Sequence, residues 1–190
     1  MNHRGTVELE TDRLILRRFV YEDAGAMYTN WAHDPEVTKY LRWYAHSSLE
    51  ATRSVVHQWI GGYMRMDNYL WAIVPRDVGE PIGSISVVKY DTSTSMVHVG
   101  YCIGQQWWNQ GYTSEALIRL VRFFFEDVGV NRIEALHDPR NPNSGKVMMK
   151  AGMVFEGTMR QADWNNLGIC DASIYAILAQ DYREARSARD

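Results

Sequence analysis

Apolar positions along the chain alternate, or recur at helical spacing, in short segments that polar turns separate. The run RLILRRF at residues 13–19 predicts a strand, and residues 21–33 predict a helix that ends before the sequence DPE. A second helix is predicted to start at Ser47, because Glu50 three residues later completes a capping box. Its apolar side chains recur at helical spacing, at Val55, Val56, Trp59, Ile60 and Tyr63.

The middle of the chain predicts a compact run of strands and one crossover. Strands are expected at residues 69–74, 81–90 and 96–104, and the short turns between them favour a three-stranded antiparallel meander. An apolar stripe then predicts a helix over residues 111–128, followed by a strand at 132–137. Since a strand, a helix and a strand in this order form a crossover, the two strands are expected to run parallel.

The last third predicts one more helix and two more strands. The helix starts at Asn141 and Pro142 and ends before Gly152. Two strands, at residues 153–160 and 169–180, are joined by residues 161–168, and the polar tail 181–190 is expected to fray. The predicted fold class is therefore a mixed α/β layer fold within a single domain (1–190), with a largely antiparallel central sheet and helices packed on it.

Composition and charge narrow the function classes. Hydrophobic residues make up 46% and charged residues 23% of the 190 positions, which is typical of a globular protein. The net charge of −3 and the pI of about 6.1 argue against a nucleic-acid surface, which usually needs a basic patch. No apolar run approaches the ~18–20 residues that cross a bilayer, so no membrane partner is expected.

The positions of the cysteines and histidines indicate the cellular compartment and whether a metal site is expected. Cys102 and Cys170 are far apart in apolar runs and form no CxxC pair, so reduced thiols and a cytoplasmic location are expected. The six histidines are scattered, and none lies three or four residues from another. A helical metal site is therefore not expected.

The segment QQWWNQGYTSEA joins a strand to a helix and is a candidate anion site. Residues 109–114 precede the first helical turn, where backbone N–H groups lack internal partners and attract phosphate. Gly111 allows close approach of a ligand, and Thr113 and Ser114 offer hydroxyl groups or helix caps. The segment is equally explained as a packing corner anchored by two adjacent tryptophans. It fits neither the three-glycine Rossmann pattern nor the P-loop pattern.

A second polar helix start follows the predicted strand at 132–137. The segment NPNSGKVMMKAGM places Asn141 and Ser144 three residues apart, ahead of Lys150 and Gly152. A helix cap at Asn141 accounts for this pattern by itself. The same side chains would also meet a ligand that lay between the two parallel strands.

Together these segments resemble the GNAT superfamily of acetyl-CoA-dependent N-acetyltransferases, and in particular its RimJ/RimL-type branch, which acetylates N-terminal amines of ribosomal proteins. The resemblance covers nearly the whole chain, in four ordered stretches: LETDRLILRRFVYEDA, VGYCIGQQWWNQGYTSEAL, NPNSGKVMMKAGMVFEG and CDASIYAILAQDYR. It implies a GNAT-like fold in which the two parallel strands splay apart, helices cover both faces, and acetyl-CoA enters the gap.

The resemblance also assigns residues to acetyl-CoA. It implies that the strand backbone near Tyr101, Cys102 and Ile103 holds the pantetheine arm and polarises the thioester carbonyl. The diphosphate loop and its neighbours correspond to Trp108, Asn109, Gln110, Gly111, Tyr112, Thr113 and Ser114, with Asn141 binding the arm or fixing the loop. Two loop positions depart from the general pattern, since Trp108 replaces Gln or Arg and Thr113 replaces Gly or Ala.

The resemblance points to Ser144 as the general acid that protonates the leaving thiolate, although a serine is also common in a first helical turn. The tyrosine used elsewhere in the superfamily has no counterpart after Gly152. A general base is not assigned. Glu134, His137 and His98 lie on strands near the expected cleft, where structural roles are more common for such residues.

The sequence indicates less about the acceptor of the acetyl group than about the donor. Helices one and two and the loop between them supply aromatic residues and one carboxylate, at Trp31, Asp34, Tyr40 and Trp43. Such residues either line an amine site or form core or dimer surface. The implied partner is a primary amine, on a peptide N-terminus or a small molecule, and a homodimer is compatible with the 12% aromatic content. A non-catalytic acyl-CoA-binding sensor is the alternative function.

Overall fold

The computed structural model describes residues 1–188 and contains an eight-stranded sheet with helices against it. The strands are β1 (Leu9–Glu10), β2 (Leu14–Arg17), β3 (Leu70–Pro75), β4 (Gly83–Asp91), β5 (Met96–Ile103), β6 (Arg132–His137), β7 (Val154–Asn165) and β8 (Gly168–Leu178). The α-helices are α1 (Asp23–Met27), α2 (Pro35–Thr38), α3 (Leu49–Gly62), α4 (Tyr112–Phe123), α5 (Pro142–Lys150) and α6 (Ala179–Ser187).

The sheet has the strand order β1-β2-β3-β4-β5-β6-β8-β7, and only β5 and β6 run parallel. This confirms both the predicted meander of β3, β4 and β5 and the predicted crossover through α4. The parallel pairing spans three positions, Met96 with Arg132, Val97 with Ile133 and His98 with Glu134. Beyond the third pair the two strands separate, so the sheet is open between the end of β5 and the end of β6.

Central strands are buried on both faces because helices cover both sides of the sheet. In β3, Trp71 and Ile73 belong to one apolar cluster, which includes Leu117 and Leu120 of α4. The alternate residues Leu70, Ala72 and Val74 belong to a second cluster, which includes Phe19, Ala24, Met27, Trp31, Ala32, Val37 and Val56. Each large apolar side chain removed from water contributes roughly 1.5–3 kcal/mol, so both layers hold the sheet in place.

Helix α3 starts one residue later than its capping box predicted. Its N-cap is Ser48, whose hydroxyl oxygen accepts a hydrogen bond from the Ala51 backbone N–H at 3.2 Å. The assignment of Ser47 as the start is therefore wrong. Because either serine fits the sequence signature within one residue, only the backbone geometry separates them.

Substituting these two serines tests the corrected cap. Ser48→Ala is expected to lower the free energy of unfolding by about 1 kcal/mol, because an Ala51 N–H loses its acceptor. Ser47→Ala is the matched control and is expected to change it by less than about 0.5 kcal/mol. Urea denaturation followed by circular dichroism measures both. Equal effects of the two substitutions would contradict the cap assignment.

Two predicted helices have wider turns inside them. The first, predicted over residues 21–33, is α1 followed by a π-helical turn at Tyr28–Ala32. The crossover helix, predicted over residues 111–128, is α4 followed by a π-helical turn at Phe124–Val128, which ends at the left-handed Gly129 with φ of 74°. The apolar pattern gives the extent of both helices but does not reveal the change in winding.

The C-terminal hairpin is longer than the sequence predicted. Residues 161–168 were expected to connect the last two strands, but β7 continues to Asn165, and Trp164 pairs with Ile169. Two irregularities in β7, with φ of 148° at Gly157 and 50° at Gln161, interrupt the alternation that would have revealed the strand.

The polar tail forms a helix, so the expectation that it frays is wrong within the described residues. Helix α6 runs from Ala179 to Ser187, and the Asp181 carboxylate accepts from the Leu178 N–H at 3.1 Å. Residues 189 and 190 lie outside the described residues. Among residues 1–188, each helix is too short or too polar to cross a lipid bilayer.

Candidate active site

The loop between β5 and α4 ends at the N-terminus of a helix and contains two residues with left-handed backbone. Gly111 is the N-cap of α4 with φ of 84°, and Asn109 has φ of 62°. Within residues 1–188 no side chain caps the helix, so neither Thr113 nor Ser114 acts as its N-cap. The first N–H groups of a helix have no partner within it, and here they begin a helix of 12 residues. This geometry suits an anion such as a phosphate.

One side chain ties the loop to the end of β5, and another bonds within the loop. The Trp108 indole N–H donates to the carbonyl oxygen of Ile103 at 2.9 Å, while 38% of the side chain stays exposed. The Gln110 side-chain amide donates to the carbonyl oxygen of Gln106 at 2.8 Å. Trp107 is buried in the first apolar cluster. The two adjacent tryptophans therefore have different roles: Trp107 anchors the loop in the core, and Trp108 caps the strand end.

Arg13 clamps the loop from the start of β2, and sequence reasoning missed it. Its guanidinium donates to the Gln110 carbonyl oxygen at 3.1 Å, lies over the Tyr112 ring at 4.6 Å and forms a 2.6 Å ion pair with Glu115. Although burial opposes it, hydrogen bonds from Thr11 and Arg13 lower the pKa of Glu115. The contact joins residues 97 positions apart, so no local pattern predicts it.

The opening between β5 and β6 is the second part of the site. Tyr101, Cys102 and Ile103 pair with β4 on one side and with no β6 residue on the other. Backbone groups on that free edge can pair with a ligand in the gap. Tyr101 reaches across to the first turn of α5, where its hydroxyl donates to the Ser144 carbonyl oxygen at 2.9 Å, and burial raises its pKa.

Cys102 faces the opposite side of the sheet from Tyr101. Its sulfur lies 3.4 Å from the Ser84 hydroxyl oxygen, and burial raises the pKa of the thiol. The Cys102 side chain packs against the second apolar cluster. Its backbone, rather than its sulfur, therefore borders the free edge of β5. Both cysteines, Cys102 and Cys170, are free thiols.

Asn141 and Ser144 meet at the start of α5. The Asn141 side-chain amide donates to the Ser144 hydroxyl oxygen at 3.3 Å, and Asn141 makes no side-chain cap. Because the amide occupies a lone pair of the oxygen, the hydroxyl hydrogen of Ser144 remains available for a further acceptor. The bond from Tyr101 places this turn across the gap from β5.

The four residues predicted for the acceptor divide into two pairs. Trp31 is fully buried and packs 6.4 Å from the Phe19 ring, so its side chain belongs to the core. Asp34 caps α2 by accepting from the Glu36 N–H at 2.8 Å. Tyr40 and Trp43 lie on the loop of residues 39–48. Tyr40 and Trp43 therefore share one loop, whereas Trp31 and Asp34 have structural contacts.

That loop, which we name the cover loop (residues 39–48), is tied to the β7–β8 hairpin. The Asn166 side-chain amide donates to the carbonyl oxygens of Thr38 and Trp43 at 2.9 and 2.8 Å. The Tyr40 hydroxyl donates to the Arg140 carbonyl oxygen at 3.1 Å. Sequence reasoning did not find Asn166, because these contacts link segments more than 100 residues apart.

A buried carboxylate fixes the chain between β6 and α5. Asp138 accepts from the Arg140 guanidinium at 2.6 Å and from the Asn165 amide at 2.8 Å. Burial raises the pKa of Asp138, but these hydrogen bonds outweigh it and bring the pKa down to about 2. The network joins the hairpin to the start of α5 and so supports Ser144 indirectly.

The last part of the site is a histidine–glutamate pair. His98 Nδ1 lies 3.3 Å from the Glu134 carboxylate, and the two side chains are 14% and 16% exposed. His137 lies elsewhere, with its Nδ1 2.9 Å from the Asp138 carbonyl oxygen and its ring 5.6 Å from that of Tyr175. Residues 1–188 contain no group of three or more His, Cys, Asp and Glu side chains that could hold a metal ion.

Comparisons with known proteins agree with this geometry. The family described as acetyltransferase (GNAT) domain matches residues 13–154. An uncharacterised N-acetyltransferase of Bacillus subtilis, YoaA, is 32% identical over 170 residues, which cover 90% of this chain and 96% of that protein. The ribosomal-protein-serine acetyltransferase of Escherichia coli is 27% identical over 129 residues, 68% of this chain and 71% of that protein.

A solved structure shows the same fold. A GNAT-family acetyltransferase from Bacillus anthracis superposes with a TM-score of 0.80 at 26% identity, covering 92% of this chain and 99% of that chain. The family match includes the loop at residues 109–114 and both Asn141 and Ser144. The chain therefore belongs to the GNAT family and is an acetyltransferase.

Proposed function

We propose that the protein transfers an acetyl group from acetyl-CoA to a primary amine, by direct attack of the amine in a ternary complex. One observation supports the proposal most directly: the helix start at Gly111 follows the free edge of β5, and Tyr101 on that edge bonds to the Ser144 carbonyl oxygen in the first turn of α5. Membership of the GNAT family supports the reaction class.

In this proposal acetyl-CoA binds along the loop and the gap. The diphosphate contacts the backbone N–H groups of residues 109–114, and the pantetheine arm pairs with the free edge of β5 at Tyr101–103. A backbone N–H on that edge polarises the thioester carbonyl, as fixed donors do for a developing oxyanion. Asn141 contacts the arm or orients Ser144.

The reaction needs a neutral amine, and its nitrogen lone pair attacks the thioester carbonyl carbon. The carbon–sulfur bond then breaks, and the thiolate takes a proton from the Ser144 hydroxyl, which regains one from the nitrogen of the new amide. Holding both reactants in line can supply about 7–11 kcal/mol of the barrier reduction. The bond from Asn141 leaves the Ser144 proton free to reach the sulfur.

Binding of acetyl-CoA is tested first, by isothermal titration calorimetry and thermal shift. Saturable heat and stabilisation at micromolar to millimolar acetyl-CoA support the proposal. Neither heat nor a thermal shift at millimolar acetyl-CoA would remove it. ATP, measured in parallel, controls for general affinity of the helix start for phosphate groups.

Arg13→Ala is expected to weaken acetyl-CoA binding roughly threefold to tenfold, or about 1 kcal/mol, because the loop loses its clamp and a nearby positive charge. Arg13→Lys keeps the charge but loses the fork of hydrogen bonds, so an intermediate affinity is expected. Calorimetric dissociation constants measure both. An unchanged affinity in Arg13→Ala would show that the clamp has no role in binding.

We further propose that the acceptor is a peptide N-terminus or a small-molecule amine that enters beside the cover loop. The Escherichia coli relative named as a ribosomal-protein-serine acetyltransferase supports the first of these. A panel of peptides with N-terminal Ser or Ala, free amino acids and polyamines, assayed for release of the CoA thiol, distinguishes a peptide acceptor from a small-molecule amine.

The two free thiols fit a cytoplasmic location.

A homodimer is the proposed assembly. Strand β7 is the edge of the sheet, and Phe155, Met159 and Trp164 on it are 44–52% exposed. Exposed apolar side chains on an edge strand favour pairing with another chain. Light scattering after size-exclusion chromatography measures the mass, and a monomer at micromolar concentration would contradict this assembly.

A further inference from the structure

His98 and Glu134 form the last pair of the parallel strands, at the point where β5 and β6 separate. The imidazole therefore lies at the closed end of the opening. On the free edge of β5, Tyr101–103 follow only three residues later along the same strand. At ~3.3 Å per residue, an acyl group bound at residue 101 lies about 10 Å along the strand from the histidine.

The pair faces away from α4. The neighbouring residues Val97, Val99 and Ile133 belong to the first apolar cluster, and side chains alternate along a strand. His98 and Glu134 consequently face the other side of the sheet. That is the side of the cover loop, through which the acceptor is proposed to enter.

The hydrogen bonds of the Glu134 carboxylate determine which tautomer the His98 imidazole adopts. One Glu134 oxygen lies 3.3 Å from His98 Nδ1, and the other accepts from Arg132 at 3.0 Å. Arg132 is held in turn by two bonds to Glu156, at 2.8 and 2.6 Å. Since a carboxylate can only accept, Nδ1 carries the hydrogen and Nε2 keeps its lone pair. Nε2 has no hydrogen-bond partner among residues 1–188.

The surroundings favour the neutral form of this imidazole. Burial lowers the pKa of His98, and the positive charge of Arg42 on the cover loop acts in the same direction. Glu134 on β6 and Asp163 on β7 act in the opposite direction, and burial outweighs them. A neutral imidazole with a free nitrogen at the edge of a gap is suited to accept a proton.

We propose that His98 Nε2 takes the proton of the acceptor's ammonium group before the attack, and that Glu134 is the positioning residue that fixes its tautomer. This inference rests on the proposed function. The N–H bond of the ammonium breaks, its electron pair stays on nitrogen, and the imidazole becomes an imidazolium. That proton then passes to solvent, separately from the one that Ser144 gives to the thiolate.

The first test uses acetyl-CoA alone and the intact wild-type protein. Proton NMR of the histidine ring resonances, assigned by His98→Gln, is followed as acetyl-CoA is added. The His98 resonance is expected to move, and that of His57, which is exposed on α3, is expected to stay. Calorimetric binding with an unmoved His98 resonance would overturn the inference but leave the proposed function intact. No binding would overturn both.

The second test is the pH dependence of turnover with the fastest amine of the panel. His98→Gln is expected to lower kcat by up to about tenfold at pH 7 for an α-amine, because about a tenth of such an amine is already neutral there, with an unchanged dissociation constant for acetyl-CoA. For an α-amine, whose pKa is about 7.7–8.0, the deficit is expected to shrink at pH 9, because the amine is then already neutral. Simple structural damage would leave the deficit equal at both pH values, and that result would overturn the inference.

The pH profile of kcat/KM shows in which direction activity depends on the protonation of His98. Because the neutral imidazole is the active form, wild-type kcat/KM is expected to fall as the pH drops through the pKa of His98, below 6.5. In His98→Gln this limb is replaced by one at the pKa of the amine itself, about 7.7–8.0 for an α-amine. Glu134→Gln keeps the imidazole but removes the carboxylate that raises its pKa, so the limb shifts to lower pH. Its kcat is expected to fall less than that of His98→Gln. His57→Gln is the matched control and is expected to match the wild type throughout.

Discussion

Gly104→Ala is expected to be the most destabilising of the substitutions considered, lowering the free energy of unfolding by about 3 kcal/mol. An added Cβ would lie 2.2 Å from the carbonyl oxygen of Asn30 and 2.7 Å from the Trp107 ring. The first of these is a backbone atom and cannot rotate away. Gly104 has φ of −58°, so the cost is steric and not conformational.

Thermal unfolding measures this effect. For a chain of this size, about 3 kcal/mol corresponds to a decrease in Tm of roughly 6–12 °C. Gly61→Ala is the matched control, because no atom of the described residues lies within 4 Å of a Cβ there. As Gly61 lies inside α3, the control is expected to raise stability by about 0.5–1 kcal/mol. If Gly104→Ala had the same Tm as the wild type, β5 and the loop after it would not pack against residue 30.

Ser144→Ala is the second large effect, and it concerns rate instead of stability. The substitution is expected to lower kcat about 100-fold, because the thiolate leaves without a nearby proton. Affinity for acetyl-CoA is expected to stay within about twofold, since the hydroxyl makes one described hydrogen bond, to Asn141. Stability is expected to change by less than about 1 kcal/mol.

Single-turnover measurements of thiol release separate the chemical step from product release. Asn143→Ala, in the same helical turn, is the matched control. Its side chain is exposed and accepts from Lys146 at 3.3 Å, so an unchanged kcat is expected. If Ser144→Ala turned over as fast as the wild type, the general acid would have to be another group or water.

Local patterns determined most of the fold. The parallel crossover and the meander were predictable because strand and helix periodicities are clear on both sides of α4. Boundaries were missed where a single residue decides them. Ser47 and Ser48 offer the same cap chemistry, and the left-handed backbone at Gln161 hides the continuation of β7. In the polar tail, an N-terminal cap by Asp181 outweighed weak apolar patterning.

The candidate site was predictable only where it is contiguous in sequence. The loop at residues 109–114 and the Asn141–Ser144 pair each lie within one short segment. By contrast, Arg13, the cover loop and the His98–Glu134 pair depend on contacts between distant segments. Trp31, in contrast, was included among the acceptor residues although it is fully buried in the core.

The short parallel pairing of β5 and β6 also affects the cohesion of the molecule. Three residue pairs join strands β1–β5 to strands β6, β8 and β7, and among the described strands only the two-residue edge strand β1 pairs at fewer positions. A cosubstrate that pairs with the free edge of β5 would add bonds next to this short pairing. Ligand present at 100 times its dissociation constant adds about 2.7 kcal/mol to stability. Each catalytic cycle would then alternate a stiffer, loaded sheet with a looser one after CoA leaves.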